Sequence, residues 1–296
     1  MTDMLTITDV NQLKDWRHSQ LNHPVAVVMT MGALHDGHVA LIRTARAHLD
    51  THYGGEGTVV VTIFVNPTQF NNGADYEQYP QSFESDLQTC EQHGVDLVFS
   101  PSVNQMYPEG IENASLLNPS EAADVLDGPL RPGHFNGVVT VVSRLFDLVQ
   151  PTVALFGEKD YQQLVIIQDL VRTQHRNIEI VPVPTVRESD AVAFSSRNKR
   201  LTLTGRALAK HIPATFALVK HAISEGKSLA DALDAGVQYI GNQPGIDLEY
   251  LEIRSQKLEP VTSPGIARIF IAAKILGVRL IDNDTIEIGV ENVASN

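Results

Sequence analysis

The chain has 296 residues, of which 43% are hydrophobic and 19% charged, and its formal net charge at pH 7 is −13. This length exceeds what one hydrophobic core usually supports, so two domains are expected. The excess of negative charge argues against general binding to nucleic acid or to anionic membranes, because both partners are polyanions. The N-terminal sequence lacks a signal-peptide pattern, no apolar run approaches the roughly 20 residues that cross a bilayer, and the single Cys90 rules out an internal disulfide. We therefore expect a cytoplasmic protein.

The first 185 residues alternate between apolar stretches typical of strands and stretches with helical periodicity. The predicted strands span residues 25–30, 58–65, 95–99, 152–156 and 178–181. The clearest helix has an apolar stripe over 138–149 that ends before Pro151. This alternation predicts an α/β domain over 1–185, a Rossmann-like parallel sheet flanked by helices, with ligand-binding loops at the carboxyl ends of the strands.

From residue 186 the pattern changes to two amphipathic helices, with apolar positions over 208–223 and 229–240. Extended stretches follow at residues 248–255, 267–275, 278–281 and 286–288. Helices followed by consecutive strands are typical of an α+β arrangement. The sequence therefore predicts a second, smaller domain over 186–296 with an antiparallel sheet.

The segment from Met31 to His38 places His35 and His38 on either side of Gly37, where the first predicted strand turns into a helix. The first backbone N–H groups of a helix lack partners within the helix, and its dipole favours negative charge. The two imidazoles add donors at the same place. A phosphate-binding corner is the prediction. Two surface histidines on a loop are the alternative, and a zinc site is disfavoured because no third ligand is nearby.

Two carboxamides, Asn66 and Gln69, flank Pro67 after the second predicted strand. They can orient a small polar substrate, or they belong to an ordinary Asn-Pro turn. The segment 131–135, Arg-Pro-Gly-His-Phe, is either a basic lid or a turn that enters the next helix.

Charged groups follow the fourth predicted strand at Glu158, Lys159 and Asp160. Lys159 can bind phosphate and Asp160 can hold Mg²⁺ through water, although a solvated turn is the alternative. Residues 194–200 concentrate three cations and two hydroxyls in an otherwise acidic chain. This composition favours an anion site over a basic surface loop.

Taken in order, these segments resemble those of the pantothenate synthetase (pantoate–β-alanine ligase) family, which is related to class I aminoacyl-tRNA synthetases and cytidylyltransferases. The resemblance covers nearly the whole chain and is most specific at residues 30–38, 63–70, 131–135, 156–164 and 195–198. It implies condensation of (R)-pantoate with β-alanine through a pantoyl adenylate, with ATP cleaved to AMP and pyrophosphate in the presence of Mg²⁺. It also implies a homodimer formed through the nucleotide-binding domain, and a C-terminal lid domain that shields the adenylate from water.

The family's roles can be transferred to matching positions of this sequence. The implied ATP-binding residues are Met31, Gly32, Ala33, Leu34, His35, Asp36, Gly37, His38, Gly157, Glu158, Lys159, Asp160, Val186, Phe194, Ser195, Ser196 and Arg197. The catalytic residues among them are His38 as proton donor, His35, Lys159, Ser195, Ser196 and Arg197. Gln69 and Gln163 are implied to bind pantoate, and we add Met31 and Asn66 as substrate-binding residues.

The sequence departs from the family pattern at Met29, where proline is usual, and at Ala191, where glycine is usual. The second departure bears on the mobility of the 186–200 loop, because alanine resists backbone angles that glycine adopts. Two other functions remain open: a nucleotidylyltransferase of the same fold group that acts on another small substrate, and a catalytically idle nucleotide-binding protein.

Overall fold

A computed structural model describes residues 4–70, 76–77, 79–80, 82–174 and 176–293. The chain forms two compact units, of which the first comprises Met1–Glu158 and Gln162–Pro184 and the second comprises Lys159–Tyr161 and Thr185–Asn296. The sequence did not anticipate that the short segment Lys159–Tyr161 packs with the second unit. None of the described helices is both long and apolar enough to cross a bilayer.

The first unit contains a parallel sheet of six strands. They are β1 (Leu5–Ile7), β2 (Val25–Thr30), β3 (Thr58–Ile63), β4 (Leu97–Phe99), β5 (Val153–Gly157) and β6 (Glu179–Val183), in the spatial order β1-β4-β3-β2-β5-β6. The Rossmann-like fold predicted from the sequence is confirmed. Strand β1 was not predicted, because it has only three residues and two of them are exposed.

The strand order places one switch point in the middle of this sheet. From β2 the chain proceeds to β3 and β4 on one side, whereas β5 and β6 lie on the other side of β2. All of these pairs are parallel, and β2 is in register with β5 from Ala26↔Val153 to Val28↔Leu155. The loops that follow β2, β3 and β5 therefore emerge at the same edge, where open α/β sheets bind ligands.

Helices cover the sheet of the first unit. They are α1 (Val10–Ser19), α2 (Asp36–Tyr53), α3 (Phe83–Gln92), α4 (Val103–Met106), α5 (Asp127–Leu130), α6 (His134–Val149) and α7 (Tyr161–Thr173). Helix α2 buries Ile42, Ala45 and Leu49 in the same core as β2 and β3. This packing fixes the N-terminus of α2 beside the carboxyl end of β2.

The second unit has the predicted α+β architecture. Its elements are α8 (Leu203–Ala209), α9 (His211–Ser224), α10 (Leu229–Gly241), β7 (Ile246–Ser255), β8 (Gly265–Ile275), β9 (Val278–Ile288) and α11 (Val290–Val293). The strands form an antiparallel sheet in the order β7-β8-β9, and Phe216 and Val219 of α9 share a core with Ile269 and Ile271 of β8.

The sequence predicted two strands at 278–281 and 286–288, and this was wrong, because β9 is continuous. Asp282, Asn283 and Asp284 break the apolar pattern, yet each remains paired with β8. The Asp282 and Asn283 side chains are buried. Buried polar groups need partners, and here arginine side chains supply them.

Candidate active site

The turn that follows β2 is organised around the buried carboxylate of Asp86, on α3. Its Oδ2 accepts the backbone N–H of Ala33 at 2.9 Å and its Oδ1 accepts that of Leu34 at 2.8 Å. Ser82 Oγ donates to Oδ1 at 3.1 Å. The turn needs this support because Gly32 and Ala33 have φ values of +81° and +53°. Asp86 thus occupies two N–H groups that the sequence alone would offer to a phosphate.

The two histidines form a reciprocal capping box at the start of α2. His35 Nδ1 accepts the Gly37 N–H at 3.2 Å, and His38 Nδ1 accepts the His35 N–H at 3.3 Å. The ring centroids lie 4.1 Å apart. Since each Nδ1 acts as an acceptor, each neutral ring carries its proton at Nε2. The local backbone therefore sets the same tautomer in both imidazoles, with Nε2–H as a donor.

The carboxamide of Asn66 is 1% exposed and all its polar atoms are engaged within the protein. Its Oδ1 accepts from the Thr68 N–H, the Thr68 hydroxyl and the Tyr107 hydroxyl. Its Nδ2 donates to the Gly137 carbonyl at 3.1 Å and to Gln69 Oε1 at 3.2 Å. Gln69 Nε2 in turn donates to Met31 Sδ at 2.8 Å. Met31 and Gln69, both predicted site residues, are therefore in contact.

The N-terminal turn of α6 packs tightly against the Pro67–Gln69 turn. A Cβ atom on Gly137 would lie 2.6 Å from the Thr68 carbonyl carbon and 2.8 Å from the Gln69 nitrogen. The Gln69 carbonyl accepts from His134 Nδ1 at 2.8 Å, which places the proton of that ring at Nδ1 when it is neutral. The segment 131–135 is the entry to α6, and Arg131 pairs there with Asp127 at 3.6 Å.

Gln162 and Gln163 have different environments at the start of α7. The Gln162 side chain is buried, accepts the Asp127 N–H, and donates to the carbonyls of Ala122 and Val125. Gln163 is partly exposed, and within the described part of the chain its amide has no hydrogen-bond partner. Of these two glutamines, Gln163 therefore has the amide that can form hydrogen bonds with a substrate, which its predicted role in binding pantoate requires.

In the second unit, β8 and β9 bind the segment Lys159–Tyr161. Asn283 Nδ2 donates to the Lys159 carbonyl at 2.8 Å, and the Arg268 guanidinium lies 3.9 Å from the centre of the Tyr161 ring. Arg268 also donates to Asn283 Oδ1. The Lys159 ammonium is 3.5 Å from the carboxylate of Asp160. These contacts explain why the segment packs with the second unit.

Next to this segment the buried carboxylate of Asp282 forms an ion pair with the partly buried Arg187, with two hydrogen bonds of 2.7 and 3.1 Å. Burial raises the pKa of Asp282, and the hydrogen bond and charge of Arg187 oppose that rise. Burial alone would lower the pKa of Arg187, but the hydrogen bond and charge of Asp282 raise it. The pair holds the start of the next loop on β9.

Residues 186–194 form a small hairpin. Phe194 N donates to the Val186 carbonyl at 3.0 Å, Glu188 N donates to the Val192 carbonyl at 2.8 Å, and Arg187 and Ala193 form an antiparallel bridge. At its tip Ala191 has φ +67°, a conformation that favours glycine. The departure noted in the sequence therefore falls at a position of real backbone strain.

A short 3-10 turn, Ser196–Arg200, follows the hairpin and contains the predicted anion-binding residues. Ser195 Oγ accepts the Arg197 N–H at 3.3 Å. Asn198 Nδ2 fastens this turn to the hairpin by donating to Glu188 Oε1 at 2.9 Å and to the Ala193 carbonyl at 3.0 Å. Arg206 binds Glu188 and Asp190 from α8. The hydroxyls of Ser195 and Ser196 and the Arg197 side chain therefore lie on a single turn, which the Asn198 hydrogen bonds stabilise.

Sequence reasoning selected the candidate segments but missed several side chains that support them in the structure. Asp86, Tyr107 and Asn283 lie far along the chain from the residues that they hold, and no local motif marks them. Among the described residues, no group of three or more His, Cys, Asp or Glu side chains is placed to hold a metal ion. A single carboxylate such as Asp160 suits Mg²⁺ held mainly by phosphate and water.

The chain matches the family model described as Pantoate-beta-alanine ligase over residues 5–285. It is 45% identical over 264 residues to the pantothenate synthetase of Aquifex aeolicus, covering 88% of this chain and 90% of the relative. Its identity to the enzyme of a Nocardioides species is 43% over 274 residues, with coverage of 91% and 81%.

Solved structures agree with these sequence matches. The pantothenate synthetase of Thermus thermophilus superposes with a TM-score of 0.86 at 40% identity, covering 95% of this chain and 99% of that chain. A pantoate-beta-alanine ligase from Francisella tularensis, complexed with β-γ ATP and β-alanine, gives a TM-score of 0.78 at 34% identity, with coverage of 95% and 97%. The chain belongs to the pantoate–β-alanine ligase family.

Proposed function

We propose that the enzyme joins (R)-pantoate to β-alanine in two steps, at the expense of ATP. In the first step a pantoate carboxylate oxygen bonds to the α-phosphorus, and the bond from that phosphorus to the bridging oxygen of pyrophosphate breaks. In the second step the β-alanine amine bonds to the acyl carbon, AMP leaves, and the amine loses a proton. The Francisella tularensis ligase forms a complex with β-γ ATP and β-alanine, which supports this assignment.

The histidine capping box carries the proposal. Charge builds on the α-phosphoryl oxygens and on the departing pyrophosphate, so donors fixed in advance at that point lower the barrier. His35 and His38 meet this requirement because their Nδ1 atoms are held by the backbone and their donors are the Nε2–H groups. We propose that they bind phosphate oxygens, with His38 donating to the pyrophosphate as it leaves.

We propose that the corner binds ATP through the backbone of Asp36 and the Nε2–H groups of the two histidines. Gly37, whose N–H is donated to His35 Nδ1, lets a phosphate approach the backbone closely. Met31, Gly32, Ala33 and Leu34 then shape the wall of the site, since Asp86 already uses the N–H groups of Ala33 and Leu34. Gly157 and Glu158 continue the wall at the carboxyl end of β5, next to β2 in the sheet.

For pantoate, we assign direct contacts to Gln69 and Gln163, with Met31 beside them. The role proposed for Asn66 changes, because its amide has no capacity left for a substrate. Asn66 instead orients Gln69 through the 3.2 Å hydrogen bond to Oε1.

In the second unit, Lys159, Ser195, Ser196 and Arg197 supply cations and hydroxyls suited to phosphate. We propose that they bind the triphosphate, with Val186 and Phe194 near the nucleotide. Mg²⁺, held through water by Asp160, would neutralise phosphate charge when bound. We also propose a cytoplasmic homodimer.

Replacement of His38 by alanine and by glutamine tests the central assignment. His38→Ala removes both the Nε2–H donor and the acceptor that caps the His35 N–H, whereas His38→Gln retains a capping acceptor. Both variants should lose more than tenfold in turnover, and only His38→Ala should lose stability. Lys159→Ala should also lose more than tenfold. His52→Ala, an exposed histidine on the same helix, is the control and should retain full activity.

The reaction itself is tested by measuring products. Pyrophosphate should be released only when pantoate is present, and AMP should accumulate when β-alanine is added. A nucleotide product without AMP would favour the nucleotidylyltransferase alternative. Losses below tenfold in both the His38 and Lys159 variants would favour an idle nucleotide-binding protein.

A further inference from the structure

We propose that Tyr107 is a positioning residue for substrate recognition, which acts by holding in place the Asn66 amide that orients Gln69. This inference rests on the proposed function, in which Gln69 contacts pantoate. Tyr107 lies beyond β4, just after α4, and nothing in the sequence pattern connects it with the Asn66–Gln69 turn.

The orientation of the Asn66 amide is set by backbone groups. The Thr68 N–H can only donate, so the Asn66 atom that it contacts at 3.4 Å is the oxygen. The Gly137 carbonyl can only accept, so the atom 3.1 Å from it is the nitrogen. Asn66 therefore has one allowed orientation, and its second N–H is directed at Gln69.

This orientation determines that of Gln69. Because Asn66 Nδ2 donates at 3.2 Å, the Gln69 atom that receives it is Oε1. Nε2 then faces Met31 Sδ at 2.8 Å. One Nε2 hydrogen and one Oε1 lone pair are not used by these two contacts, so Gln69 offers one donor and one acceptor at fixed places. A hydroxy acid, with a carboxylate and a hydroxyl, matches that pair.

Tyr107 closes the chain of hydrogen bonds at its buried end. Its hydroxyl is 2.8 Å from Asn66 Oδ1, the shortest of the three contacts to that oxygen, and it must be the donor because Oδ1 has no hydrogen. The ring is 3% exposed. A tyrosine hydroxyl is protonated at neutral pH and can donate, and burial raises the pKa of Tyr107 further.

Tyr107→Phe tests this role because it removes only the hydroxyl. With one of three contacts to Oδ1 lost, we expect KM for pantoate to rise about 3- to 10-fold, with KM for ATP unchanged. The matched control is Tyr239→Phe, which removes the tyrosine hydroxyl that contacts His211 at 2.9 Å in the second unit. That variant should leave KM for pantoate unchanged.

A double-mutant cycle separates positioning from general support of the fold. Gln69→Ala alone should raise KM for pantoate, and adding Tyr107→Phe should then have no further effect, because Tyr107 acts through Gln69. An additive effect in the double variant, or an equal rise in KM for ATP, would overturn the inference. If Gln69→Ala itself leaves KM for pantoate unchanged, the proposed function of Gln69 fails instead.

Discussion

The carboxylate of Asp86 makes the sharpest test of how the proposed phosphate-binding corner, residues 31–38, is built. Asp86→Asn keeps the size of the side chain but replaces one oxygen with an NH₂ group. In one orientation of the asparagine amide, the NH₂ group faces the Ala33 N–H. In the other orientation it faces the Leu34 N–H and the Ser82 hydroxyl. In both cases a buried donor loses its acceptor. A buried unsatisfied donor costs about 1–3 kcal/mol. We expect a loss of this size in the free energy of unfolding.

The same change should reduce catalysis, because the turn leads directly into the histidine capping box. A displacement of about 1 Å in a positioned group can lower a rate by about 100-fold. We therefore expect kcat/KM for ATP to fall about 10- to 100-fold, measured by pyrophosphate release at saturating pantoate. Ser82→Ala, which removes only the 3.1 Å hydroxyl contact, is the control and should cost less than about 1 kcal/mol.

Cys90 gives an independent readout of the Asp86 charge. Burial raises the pKa of the Cys90 thiol to about 12, and the negative charge of Asp86 contributes to that rise. In Asp86→Asn this pKa should fall, which alkaline titration of thiolate absorbance would detect. If the variant matches the parent in stability, kcat/KM and thiol pKa, Asp86 does not organise the corner and the reasoning is refuted.

Two further predictions concern backbone strain and pH. Ala191→Gly should stabilise the protein by about 0.5–1 kcal/mol, because the residue is exposed at φ +67° and glycine adopts this angle without steric cost. The control is Ala193→Gly, at a buried position of the same hairpin, which should destabilise the protein. If chemical denaturation shows no increase in the free energy of unfolding for Ala191→Gly, Ala191 is not strained. The raised pKa of Cys90 favours the folded state below pH 9, and this contribution should decline as pH rises from 9 towards 12. Relative to the Cys90→Ala variant, the free energy of unfolding of the parent protein should fall by up to about 1.4 kcal/mol per pH unit between pH 9 and 12. If the free energies of unfolding of the two proteins change in parallel with pH, the raised pKa of Cys90 is contradicted.

The sequence revealed the parallel sheet because its strands are nearly continuous apolar runs. Residues 25–30 and 58–65 indicate buried strands clearly, since buried strands of α/β proteins need apolar residues on both faces. The short exposed strand β1 and the single long strand β9 were not predicted correctly. In β9 the polar run at Asp282 and Asn283 hides the strand, because local composition does not reveal that Arg187 and Arg268 satisfy these side chains.

For the site, the sequence by itself determined which segments are proposed to carry chemistry. Short-range patterns such as His-Asp-Gly-His or Ser-Ser-Arg-Asn identify donors and cations that lie within a few residues of one another, and periodicity places them at the ends of strands and helices. Only the tertiary structure decided how those groups are held. Asp86 binds a turn more than 50 residues away, Tyr107 and Gly137 fix the Asn66 amide, and Asn283 binds the Lys159 carbonyl. The physical reason is that hydrogen bonds depend on distance in space and on which atom donates, and neither is encoded in the spacing of residues along the chain.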